Sequence, residues 1–137
     1  MEGYMNTPVL IAGILSLLAF FVHALIGDKE LQALKPSPEA SNKSKETWVQ
    51  ARSGWHWVSV DLFLSGVVLL ILTLSEIIKA KNEILLLLGI YFTACGIAWL
   101  FTVFFSKNHN KQIIILGQWI FCFLMSALIF WGRSQLI

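Results

Sequence analysis

The chain reads as four long apolar runs, residues 8–27, 55–78, 84–106 and 112–131, separated by polar intervals. Each run holds about 20 residues or slightly more, enough for a helix to cross roughly 30 Å of hydrocarbon. Inside lipid a segment must satisfy its own backbone hydrogen bonds, and no run alternates apolar with polar residues as a barrel strand would. Helices are therefore expected throughout. Short intervals after the second and third runs make consecutive helices antiparallel neighbours, so the predicted fold is all-α, a four-helix transmembrane bundle with up-down neighbours, forming one membrane domain over residues 1–137.

The 28–54 interval carries structure of its own. Residues 28–35 keep a helical look, with Leu31 and Leu34 three apart, and Pro36 and Pro38 end it because proline lacks an amide donor and disfavours helix in the residue before it. Helix 1 is thus predicted to project about two turns beyond the membrane. After the polar stretch 37–45, Ser44 is placed to cap a new helix that carries Trp48, Arg52 and His56 into the second run. The halves share neither motif nor loop length, so no internal repeat is read.

Composition agrees with a membrane solvent: 57% of the residues are hydrophobic and 13% charged, too few charges to cover a soluble domain. The first run is read as a retained helix rather than a signal peptide, since Met1, Glu2, Gly3 and Tyr4 form no basic region and no small-residue cleavage site follows. Cys95 and Cys122 fall in different apolar runs, where thiols behave as small hydrophobes; neither a disulfide framework nor a zinc site is indicated. The basic residues divide unevenly. Lys79, Lys81 and Arg133 lie on the side of the termini, against Lys29, Lys35, Lys43, Lys45, Arg52, Lys107 and Lys111 on the other. The excess of basic residues places both termini outside the cytoplasm and the 28–54 loop within it. No basic cluster interleaves with exposed aromatics, so nucleic acid is not an expected partner; the lipid bilayer is.

Candidate chemistry lies in the few polar residues of the runs. At 1.5 Å of rise per residue, His23 and Thr102 sit about 6 Å, and Asp61 and Gln118 about 9 Å, below the cytoplasmic ends of their helices, which gives one polar layer and a candidate pocket. A carboxylate at the centre of a membrane helix costs roughly 2.5–3.5 kcal/mol, so Asp61 requires a reason to be there. On the first hairpin, His23, Gly27 and Glu30 recur at i, i+4 and i+7, as do Arg52, His56 and Ser59. Antiparallel pairing sets Glu30 level with Arg52, Gly27 near His56 and His23 opposite Ser59. The expected hairpin group is therefore a Glu30–Arg52 pair with His56 beside it, above a histidine-lined crevice. His56 also belongs to an interfacial aromatic cluster with Trp55 and Trp57, and His109 falls in a short solvated turn.

The string His23-Ala-Leu-Ile-Gly27-Asp28, followed after the loop by Arg52-Ser-Gly-Trp55-His56, resembles a group of small uncharacterised bacterial four-span integral membrane proteins. In that group a histidine, a glycine and an acid close the first helix and a tryptophan-histidine pair opens the second. The resemblance covers mainly the first hairpin and implies a four-helix fold in a bacterial inner membrane, with no activity attached. Three function classes remain. The first is a homo-oligomeric transporter, channel or scaffold subunit, since four spans enclose little room and symmetry completes small pores. The second is a cofactor protein holding haem b or a divalent metal on His23 and His56. Against it stand the lack of C-x-x-C-H and H-E-x-x-H motifs and a depth offset of about 7 Å between the histidines. The third, an intramembrane enzyme, lacks a nucleophile beside a base.

Overall fold

A computed structural model of the chain describes residues 5–106, 113, 115 and 117–136. The described residues are helical and contain no strand. Helix α1 runs Thr7–Phe21, continues without a break through a π-helical segment Val22–Gly27, and ends as α2, Asp28–Ala33. Helix α3 spans Asn42–Leu74, α4 Lys81–Phe104 and α5 Gln118–Ser134. Three helices, Thr7–Ala33, Asn42–Leu74 and Lys81–Phe104, are long and apolar enough to cross a membrane, as in a small polytopic membrane protein. The start of the fourth predicted span at residue 112, the 107–111 turn and His109 lie outside the described residues. From Gln118 onward that span lies in the 17-residue α5, which continues to Ser134.

Local chemistry sets the helix ends. Asn6 accepts the backbone N–H of Val9 on its side-chain oxygen at 3.2 Å, the geometry of an N-cap. Helix α2 closes with short-range bonds from the amides of Leu34 and Lys35 to the carbonyls of Leu31 and Gln32, just before Pro36. The cap of α3 is Ser41, whose hydroxyl accepts from the Ser44 amide at 3.2 Å, so the helix begins one turn earlier than a Ser44 cap predicts. Ser44 is the third residue of the helix instead. At its far end α3 stops at Leu74, not residue 78, and the Glu76–Lys81 ion pair at 2.9 Å spans the connection into α4.

The chain divides into two compact units, Gly13–Val68 and a second made of Met1–Ala12 with Leu69–Ile137. In the second unit α4 and α5 pack closely. Gly89 and Gly96, seven residues apart, face Phe130 and Phe123, also seven apart, with ring carbons 2.8 and 3.0 Å from where a glycine Cβ would stand. Residue numbers fall on one helix as they rise on the other, so the two helices run antiparallel. Ser126 sits between these ring contacts, donating to the Gly89 carbonyl at 3.0 Å and lying 2.7 Å from the Thr93 hydroxyl. Buried Leu85, Phe92, Cys122, Met125 and Ile129 complete this core. Asn6 joins the same unit by donating to the Gly132 carbonyl at 2.7 Å.

The first unit is a helical hairpin. Its backbone and polar pairs descend in the opposite sense too: Ser16 donates to the Leu62 carbonyl at 2.8 Å, His23 lies 3.0 Å from the Ser59 hydroxyl, and the Trp48 indole N–H donates to the Leu31 carbonyl at 3.1 Å, with the Phe20 and Phe63 rings packed at 5.3 Å between the helices. Gly66 gives room for Leu17 and for the backbone of Gly13. Small residues therefore bring the two backbones together over the apolar stretch. Polar groups take over at the loop end.

Candidate functional site at the loop end of the first hairpin

Asp28 is the hub of that end. Its Oδ1 accepts from Arg52 Nε at 3.0 Å and lies 3.3 Å from His56 Nε2, while Oδ2 accepts from Arg52 Nη2 and from Gln32 Nε2, each at 3.2 Å. Three hydrogen bonds thus reach one carboxylate, with the His56 ring at ion-pair distance beside it. The Asp28 side chain is 18% exposed, against 33% for Arg52 and 46% for His56. Asp28 follows the end of the apolar run at residue 27. The hydrogen bonds from Arg52, and then from Gln32, hold its carboxyl below the ordinary carboxylate range. Arg52 also lies over the Trp48 ring at 5.6 Å, with Lys35 on the same ring at 5.9 Å.

A second group lies about one turn deeper. The His23 ring stacks on the Trp55 indole, with centroids 3.9 Å apart and planes 8° from parallel. Trp55 Nε1 donates to the His23 carbonyl at 2.9 Å, and His23 Nδ1 lies 3.0 Å from the hydroxyl of Ser59, the residue opposite it in the predicted register. Ser59 in turn donates to the Trp55 carbonyl at 3.3 Å. The Ser59 hydroxyl thus has two acceptors within reach, the Trp55 carbonyl and His23 Nδ1, and the tautomer of His23 sets which of them it serves.

The acid on Arg52 is Asp28, not the expected Glu30, and the π-helical segment is the physical reason. A π turn takes one residue more than an α turn, so the stripe that begins at His23 continues at i+5 rather than i+4. Asp28 therefore takes the place assigned to Gly27, Leu31 takes that of Glu30, and Glu30 is exposed. Gly27 turns instead onto Trp55, where a Cβ would overlap the indole ring, rather than lying near His56. Sequence periodicity passed over Asp28, Trp48 and Trp55 as partners. The available signals were the spacing of five between His23 and Asp28 and the position of the acid at the close of the apolar run.

No family model, curated protein or solved structure matches the chain. Its site must be read from geometry alone. Of the residues expected in a polar layer, His23 and Asp61 belong to the Gly13–Val68 unit, and Thr102 and Gln118 to the other. Asp61 is exposed on α3; Thr102 is exposed and donates to the Ala98 carbonyl at 2.9 Å; Gln118 is exposed as the first residue of α5. Among the described residues no group of three His, Cys, Asp or Glu side chains is arranged to hold a metal ion.

Proposed function

We propose that this chain is a subunit of an oligomeric transporter or channel in a bacterial inner membrane, and that it handles protons at the cytoplasmic end of its first hairpin. The observation that supports this reading is the pair of imidazoles at successive levels, one beside a carboxylate and one hydrogen-bonded to a hydroxyl. His56 lies beside the Asp28 carboxylate near the membrane surface, and His23 rests on Ser59, three residues or about 4.5 Å deeper along α3. Imidazole is the side chain whose ordinary titration falls near neutral pH, and each ring here has a partner that fixes its orientation while one nitrogen remains for exchange. Asp28 and Arg52 hold the upper ring in place. Trp55 does so for the lower one.

In this reading the termini are extracytoplasmic and residues 34–41 are cytoplasmic. The test is proton flux into proteoliposomes loaded with a pH-sensitive dye, with the purified protein compared against empty vesicles. Flux above the empty-vesicle rate, abolished by His23→Ala and reduced by His56→Ala, supports the proposal. Flux equal to that of empty vesicles refutes it and leaves a scaffold role. Haem b or a divalent metal on His23 and His56 is the competing use of the same imidazoles; a Soret band or stoichiometric metal in the purified protein would replace proton handling with it.

A further inference from the structure

We infer that the loop end of the first helix has two registers against α3, that the one seen here is set by the π-helical turn, and that Trp55 is the residue that holds it. The inference stands whether or not protons cross the protein. It begins from a duplication in the chain. Acids occur at both Asp28 and Glu30. In the observed register the first acid is used: Asp28 meets Arg52 and His56, while Trp48 donates to the backbone carbonyl of residue 31. The second acid is unused. Glu30 is exposed, and Leu34 is 73% exposed.

Relaxing the π turn to α rotates every residue beyond it by about 100° and lengthens the helix by about 1.5 Å. The stripe from His23 then runs through Gly27, Glu30 and Leu34. Glu30 comes within reach of the long Arg52 side chain, and Leu34 comes level with Trp48. Arg52 keeps a carboxylate in either arrangement.

What selects the π register is concentrated on one side chain. The Trp55 ring stacks on His23 at one end of the widened turn, its N–H binds the His23 carbonyl, and its six-membered ring fills the space left by the missing Cβ of Gly27 at the other end. Trp55 is a positioning residue for the turn. Through it, any change in how His23 is held alters which acid meets Arg52, and so moves α2 and the start of the loop at residues 34–41.

Disulfide trapping distinguishes the registers. In full-length protein in native membranes, with Cys95→Ala and Cys122→Ala as background, oxidation rates are compared for Leu31→Cys with Trp48→Cys and for Leu34→Cys with Trp48→Cys. The first pair should cross-link about tenfold faster or more, and Asp28→Asn should invert the preference by a similar factor. Adding Glu30→Gln to Asp28→Asn should abolish the inversion, because no acid then rewards the second register. Trp55→Phe, which retains Asp28 and a ring but removes the indole N–H, should invert the preference by itself. That variant decides the matter should Asp28→Asn fail to fold. A preference for the 31/48 pair that persists in either folded variant, or a loss of both cross-links, overturns the two-register inference.

Discussion

Gly27 and Gly54 lie on the two helices of one hairpin, and the structure assigns opposite signs to the same substitution at each. A Cβ on Gly27 would overlap Trp55 Cζ2 and stand 3.0 Å from Cε2, where carbon atoms in ordinary contact lie about 3.5–4.0 Å apart. The indole cannot simply retreat, since it is stacked on His23 at 3.9 Å and bonded to the His23 carbonyl at 2.9 Å. Overpacking of this kind costs about 1–3 kcal/mol, and loss of the indole hydrogen bond adds about 1 kcal/mol. Alanine's helix preference over glycine returns about 1 kcal/mol, leaving Gly27→Ala destabilised by about 1–3 kcal/mol. A shift to the second register would relieve the overlap only by giving up the Asp28 bonds, so the sign is unchanged. A Cβ on Gly54, an exposed position of α3, meets nothing within 4 Å. Gly54→Ala should therefore gain up to about 1 kcal/mol. Unfolding of both variants in mixed micelles, followed by tryptophan fluorescence, measures the difference. If Gly27→Ala is as stable as Gly54→Ala, the packing of Trp55 against the π turn is wrong.

Two further outcomes can be checked independently. Ser126→Ala removes the donor to the Gly89 carbonyl between α4 and α5; because Thr93 keeps its own bond to that carbonyl at 2.9 Å, the loss should fall near 0.6 kcal/mol, the average for interhelical bonds in membranes, and a loss above about 1.7 kcal/mol would mean the site does more than join two helices. For the proposed orientation, a thiol at Gln135→Cys should react with an impermeant reagent in intact cells while Ser41→Cys reacts only after permeabilisation, and the reverse pattern would invert the topology.

Helix ends show where sequence reading reaches its limit. Pro36 and Pro38 could be read as the stop of the first helix because their effect is covalent and local: the missing N–H and the restricted backbone act in any context. The start of α3 was harder, since Ser37, Ser41 and Ser44 all carry a hydroxyl suited to capping. Which one serves depends on how the loop enters the helix, and Ser41 does so here. Ile77 and Ile78 continue the apolar run past Ser75 and Glu76, yet the helix ends at Leu74 and Ile77 is 83% exposed. Hydropathy registers the solvent preference of each residue but not where the backbone leaves the helix.

The apolar runs by themselves determined that the chain is helical and membrane-soluble, because length and hydrophobicity act residue by residue and require no knowledge of neighbours. They also placed His23 opposite Ser59, since a single antiparallel register through the apolar part of the hairpin fixes that pair. Beyond His23 the same ruler failed. It assumed 3.6 residues in every turn, and one turn of the first helix holds an additional residue. Nothing local in Val22–Gly27 demands that; the wider turn is held by the Trp55 indole, thirty-two residues away from His23 in the chain. Only tertiary structure could therefore decide that Asp28, rather than Glu30, is the acid that joins Arg52 to His56.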